Sequence, residues 1–199
     1  VTAYTPYAPY KVRAVECHYR SSEEGVYEAL KRATEPLTET WEKLRKAKRI
    51  GIKFNHDKEI KNRIYFEGQL QQLVTHKTAR AFLRLLREKT DAELVAPDVS
   101  FYTMYHEGTT LAQTVTFADI FKEFGVEYVN GIEPPHKTVS VPGGGRMFKE
   151  YVLPEGAVDV DEFISVAKLK NHAFMGVTLS LKNLFGLMVG EPDGKTRTY

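Results

Sequence analysis

The sequence predicts an α/β fold: a mainly parallel sheet covered by helices, with an antiparallel hairpin added near residues 137–153. Three observations carry this prediction. Apolar residues recur at helical spacing in several segments, and short strand-like runs lie between them. That alternation is the pattern of parallel strands joined through covering helices. The run Pro142-Gly143-Gly144-Gly145 then separates two alternating segments, which is a hairpin signal.

The elements follow in order. Residues 1–10 hold two prolines and three tyrosines and form an irregular N-terminal arm; residues 11–199 form a single α/β domain. Val12–Cys17 has the look of a strand, with Cys17 in the core. Ser21 or Ser22 caps a helix in which Val26, Ala29, Leu30 and Ala33 share one face. Pro36 ends it, and Thr38–Lys46 is a second, charge-rich helix. Arg49–Phe54 is a strand. Asn55–Val74 is a polar excursion near the strand ends. Thr75 caps the next helix, with Ala79, Phe82, Leu83 and Leu86 inward, and Ala92–Ala96 is the following strand. Thr116 caps a third helix, with Phe117, Ile120, Phe121 and Phe124 inward, and Gly125 is its C-terminal cap before the strand Val126–Val129. Lys137–Val141 and Arg146–Leu153 form the hairpin, Phe163–Lys168 is a last strand, and Met175–Met188 has helical spacing.

Composition narrows the function. Hydrophobic residues at 42% and charged residues at 27% are those of a folded domain. A net charge of +2 gives no field that argues for nucleic acid or an anionic membrane. No apolar run reaches the roughly 18–20 residues needed to span a bilayer. The single cysteine, Cys17, cannot form an internal disulfide or an iron–sulfur site, so no cofactor of that kind is expected within the chain. A cytoplasmic location fits this usage. The start at Val1 rather than Met is compatible with trimming upstream.

The chemistry concentrates at Lys168–Gly190. Lys168, Lys170, Asn171 and His172 end a strand. On a wheel turning about 100° per residue, Thr178, Lys182 and Gly186 share one stripe of the next segment. A hydroxyl, an ammonium and a bare backbone patch beside a helix start form an anion site for phosphate or carboxylate. Lys53 and Asn55 end the earlier strand and would converge on the same crevice if the two strands are neighbours. For an isolated lysine, a solvated side chain is the simpler reading. The six histidines form no dense metal motif, and His56-Asp57 and His106-Glu107 are ordinary loop pairs, so no metal site is assigned. Asp159, Asp161 and Glu162 form a solvated acidic turn. Gly143–Gly145 lacks the G-K-[ST] ending of a phosphate loop.

The stretch Ile164-Ser165-Val166-Ala167-Lys168-Leu169-Lys170-Asn171-His172, followed by Gly176-Val177-Thr178 and Lys182-Asn183-Leu184-Phe185-Gly186, resembles the signature of the domain of unknown function (DUF) 362 family. The family form is close to I-S-x-x-K-x-K-T-H and then G-x-T-x-x-x-K-N-x-F-G. Ile52-Lys53-Phe54-Asn55 resembles a second family segment, I-K-P-N, and Thr75-His76 a weaker third. Phe54 stands where the family has proline, and Asn171 where it has threonine. The resemblance implies that Asn183 belongs to the site with the residues above. It also implies a chain that runs on past the F-G segment, so this one is expected to be truncated. Many members carry ferredoxin-like cysteine clusters; this sequence has none.

Three functions follow as expectations. The first is an enzyme acting on a small anionic substrate, with His172 and Lys170 catalytic and Lys53, Asn55, Lys168, Asn171, Thr178, Lys182, Asn183 and Gly186 binding the ligand. The second is a non-catalytic module for such a ligand or for a redox partner protein. The third is a protein-interaction domain, which a flat, exposed Lys168–Gly190 surface with apolar neighbours would favour.

Overall fold

A computed structural model describes residues 11–56, 63–99, 116–172 and 175–189 of the chain. The irregular arm expected at residues 1–10 lies outside them, as do Asp57, His106 and Glu107. Helix α1, Glu23–Thr34, begins where Ser22 Oγ accepts the amide of Gly25 at 3.2 Å. Helix α2, Thr38–Lys46, is locked onto it by the Trp41 indole, which donates to the Thr34 carbonyl at 2.8 Å. Strand β1, Arg49–Phe54, follows, then a short hairpin of β2, Tyr65–Phe66, and β3, Gln69–Leu70. Helix α3, His76–Arg87, is capped by Thr75, whose hydroxyl accepts the Thr78 amide at 3.2 Å.

Strand β4, Glu93–Asp98, helix α4, Ala118–Phe124, and strand β5, Val126–Asn130, complete one side of the sheet. Gly125 ends α4 in the left-handed region at φ 59°, where glycine carries no Cβ penalty. Strands β6, His136–Ser140, and β7, Glu150–Pro154, form the expected hairpin, turning at Gly143 and Gly144 with φ 74° and 68°. A one-turn helix α5, Glu155–Val158, leads to strand β8, Glu162–Val166.

The sheet order is β5–β4–β1–β8, parallel throughout. The chain steps outward from β1 to β4 to β5, then returns to the far side of β1. The order therefore turns back at β1, and open parallel sheets bind ligands at the carboxyl ends of strands beside such a reversal. The start of β1 is fixed by Asp161, whose carboxylate accepts the amides of Lys48 and Arg49 at 2.7 and 3.0 Å. Those amides, Arg49 first, hold its carboxyl below the ordinary range. The acidic turn is exposed at Asp159 and Asp161, as expected, and Asp161 in addition anchors the strand.

Alternation on β1 divides the molecule. Ile50, Ile52 and Phe54 join Leu83, Leu86, Leu94, Ala96, Phe117 and Phe121 in the main core beneath α3 and α4. Gly51 and Lys53 take the other face. A Cβ on Gly51 would lie 2.5 Å from the Phe163 ring, so close packing there requires glycine. Arg87 closes the opposite end of the core: its guanidinium donates to the carbonyls of Phe124, Ala92 and Gly125 at 2.9, 2.7 and 3.0 Å.

Three local expectations are corrected. Val12–Cys17 forms no strand, and Cys17 is exposed, because no neighbouring strand pairs with this segment among the described residues. Thr116 does not cap α4. Phe117 occupies that position without a side-chain bond, and the Thr116 hydroxyl donates to the His56 carbonyl instead. Met175–Met188 is not one helix, as described next.

Candidate functional site

The carboxyl ends of β1 and β4 meet in a buried ionic cluster. Lys53 Nζ donates to Asp98 Oδ2 at 2.6 Å and to the Phe54 carbonyl at 2.7 Å. His56 Nε2 lies 3.2 Å from the same carboxylate oxygen. All three side chains are almost fully buried. Burial alone would raise the Asp98 carboxyl, but the Lys53 ammonium and His56 outweigh it and hold the group below the ordinary carboxylate range. The His56 ring stacks on Phe117 with centroids 5.2 Å apart, so the aromatic core fixes its plane. The pairing of β1 with β4 extends from Arg49–Glu93 to Gly51–Val95. Pro97, which has no amide hydrogen, lies beyond that stretch.

A short helix, α6, Ser180–Leu184, with the 3-10 turn Phe185–Leu187, closes over the cluster. Asn183 is the fastener: its amide donates to the Lys53 carbonyl at 2.8 Å and to Ser165 Oγ at 3.1 Å, joining β1 to β8. The Gly186 carbonyl accepts the Val99 amide at 2.8 Å. A Cβ on Gly186 would stand 2.7 Å from Lys53 Cε and 3.3 Å from Asp98 Oδ1. Gly186 is therefore a lid residue over the ion pair.

Between β8 and α6 the chain forms a two-stranded hairpin, β9, Lys170–His172, and β10, Gly176–Thr178. The expected single helix fails here because Gly176 adopts φ 71° and the ladder pairs Val177 with Asn171 and Thr178 with Lys170. Thr178 thus precedes the helix, and no common stripe with Lys182 and Gly186 exists. The apolar side that helical spacing would give Val177, Leu181, Leu184, Phe185 and Met188 does not form: Val177 and Leu181 are exposed. Lys170 donates to the Gln72 carbonyl, and Lys182 lies over the Phe185 ring, 4.7 Å from its centroid. The His172 imidazole is held below the ordinary histidine range, first by partial desolvation and then by Lys182 and Lys170.

The remaining residues expected at the site are placed as follows. Asn55 stitches the strand exits, its amide donating to the Val166 carbonyl at 3.0 Å and its carbonyl accepting the Val74 amide at 2.9 Å. Its side-chain oxygen is buried and has no hydrogen-bond partner among the described residues. The Thr178 hydroxyl is in the same condition, on a residue that is only 3% exposed. Asn171 is exposed. Lys168 lines a separate cavity under α1, together with Lys77. Asp98 escaped the sequence reading, since Pro97 looked like the end of the strand before it. His56 was weighed only as a metal ligand. A buried lysine at a strand end, demanding a carboxylate, was the signal that could have found Asp98. No group of three potential metal ligands occurs among the described residues, and no helix there is long and apolar enough to cross a membrane.

Residues 60–198 match the family described as Domain of unknown function (DUF362), while no curated protein and no solved structure matches the chain. The match covers well over half of the 199 residues and includes the β9–β10 hairpin, α6 and the strand that carries Asp98. The chain belongs to the DUF362 family.

Proposed function

We propose that the chain binds a small anionic molecule, bearing phosphate or carboxylate, at the β9–β10 hairpin, and acts on it as an enzyme. The observation that carries this reading is the Thr178 hydroxyl, buried without a hydrogen-bond partner among the described residues. Leaving such a group unpaired costs roughly 1–3 kcal/mol, which a ligand oxygen would recover. Thr178 pairs in register with Lys170, and Lys170 and Lys182 both act on His172. The two ammonium groups supply attraction for an anion. Partial desolvation first, and these two ammonium groups second, favour the neutral His172 imidazole, the state that accepts a proton. Asn183 and Gly186, on the helix and turn that follow Thr178, pack against Lys53 at the end of β1.

The test is a titration with inorganic phosphate, followed by calorimetry and by the His172 imidazole resonance. Binding should raise the His172 midpoint, because a bound anion favours the charged ring. Thr178→Val and Lys182→Met should each weaken binding by about tenfold, or about 1.4 kcal/mol. The unliganded Thr178→Val protein should lose no stability, since it removes an unsatisfied hydroxyl. Equal phosphate binding by Thr178→Val and its parent overturns the reading.

A second reading has its own observation. Leu169, Met175 and Leu181 are 69%, 63% and 86% exposed around the same hairpin. Such clustering favours a protein-interaction face. Self-association in sedimentation velocity, abolished by Leu181→Ser, would select this reading.

A further inference from the structure

A cavity of about 540 Å³ lies beneath the apolar face of α1 and is closed below by the β2–β3 hairpin and the start of α3. Its volume falls in the range of roughly 300–1,000 Å³ typical of small-molecule sites. One wall is apolar. Val26, Ala29, Leu30 and Ala33, which share a face of α1, stand opposite Leu70 and Phe66. The lining also includes Lys168 and Lys77 and the hydroxyl-bearing Thr75 and Thr78.

None of the residues lining the cavity is acidic. Lys77 donates to the Ser21 carbonyl at 2.7 Å, which orders its ammonium without neutralising it. Lys168 has no carboxylate partner among the described residues. Glu67, next to the lining residue Phe66, is already held by Arg20 and Tyr19. The α1 face is also incompletely covered: Ala29 is buried, but Val26, Leu30 and Ala33 keep partial exposure. A lysine without a carboxylate partner and a partly exposed aliphatic helix face lining one cavity match a ligand with both characters.

The geometry points to this cavity as a binding site for a small amphiphilic anion: one carboxylate head at Lys168, and an apolar body along α1. The site is distinct from the hairpin group of Lys170, His172 and Lys182, and does not depend on it. Lys168 anchors the head, Thr75 or Thr78 donates a second hydrogen bond, and the aliphatic wall of α1 removes the body from water.

Cys17 makes this testable without a label, because the only cysteine of the chain lines the cavity and is exposed. The rate of its reaction with a chromogenic disulfide is measured with octanoate, 1-octanol or inorganic phosphate present. Octanoate should slow the reaction at concentrations at least about tenfold below those needed for octanol, and phosphate should give no protection. Lys168→Met should erase the preference for octanoate over octanol while leaving the melting temperature unchanged. Lys182→Met should leave octanoate protection intact, which separates this site from the hairpin. Equal protection by octanoate and octanol overturns the proposal, because the cavity is then only an apolar recess. Protection by phosphate alone overturns it as well, as does an unaltered preference in Lys168→Met or protection by none of the three.

Discussion

The two faces of the central sheet are built on opposite principles. Beneath α3 and α4, β1 contributes Ile50, Ile52 and Phe54 to an apolar core, and aromatic rings fill the space at its carboxyl end. On the other face the same strand offers Gly51 and Lys53; Phe163 packs over the first, and a five-residue helix with a single turn covers the second. There the contacts are an ion pair, amide bonds from Asn183 and the bare backbone of Gly186. Asp98 stands at the junction, receiving Lys53 from one face and His56 from the aromatic side. The first face holds the fold together by area removed from water. The second spends burial on charges, which rarely improves stability over a well-packed apolar alternative. A chain that keeps such a group where its strand order turns back places chemical specificity there.

The largest expected effect tests whether this ion pair is one unit. Asp98→Asn should cost about 3–5 kcal/mol in urea unfolding, because it leaves Lys53 buried without its partner. The double variant Lys53→Met/Asp98→Leu should recover most of that loss. A cost below about 1 kcal/mol for Asp98→Asn would mean that water reaches the pair and that the two faces differ less than their geometry implies. The same pair sets an acid limit. The folded Asp98 carboxyl lies below its unfolded value, so its contribution is complete above the unfolded value. It is lost as pH falls through the folded one.

A smaller effect is expected at the lid. Gly186→Ala should destabilise by about 1–3 kcal/mol, since the new methyl meets Lys53 where two hydrogen bonds hold it. Thermal melting at pH 7 checks this, and an unchanged melting temperature would show that the turn moves freely over the pair. The smallest effect is local. His172 should titrate below an ordinary histidine in nuclear magnetic resonance, and Lys182→Met should move the midpoint upward by removing one repelling charge. Its depressed value also means that protonation below the ordinary histidine range opposes folding, so its share of stability rises with pH through that window.

The apolar face was the more legible one in sequence. Arg49–Phe54, Thr38–Lys46, the Thr75 cap and the Gly125 cap follow from periodicity and capping chemistry, which act within a few residues. Lys53 follows from its place at a strand end, Gly186 from a helical stripe that does not form and Asn183 from the family resemblance, while the contacts among them depend on β1, β8 and α6 meeting in space. What periodicity misjudged was Met175–Met188. Val177, Leu181, Leu184, Phe185 and Met188 fall on one side of a helical wheel, yet one glycine at positive φ and a three-residue ladder to Lys170–His172 turned the start of the segment into a hairpin strand. Asp98 was hidden for a related reason, because proline usually ends a strand and here lies within one.

The anchoring of β1 by Asp161 has a consequence for synthesis. That contact joins positions 112 residues apart in the chain, and the β1–β8 ladder lies beside it. During translation β1 can gain β4 early, and Lys53 can meet Asp98 as soon as residue 98 emerges. Its second neighbour and the Gly186 lid come only with the last part of the chain described. Until then β1 is an open edge beside a charged pair that water can still reach, so the nascent domain passes through a stage in which its most polar interior is its most accessible surface.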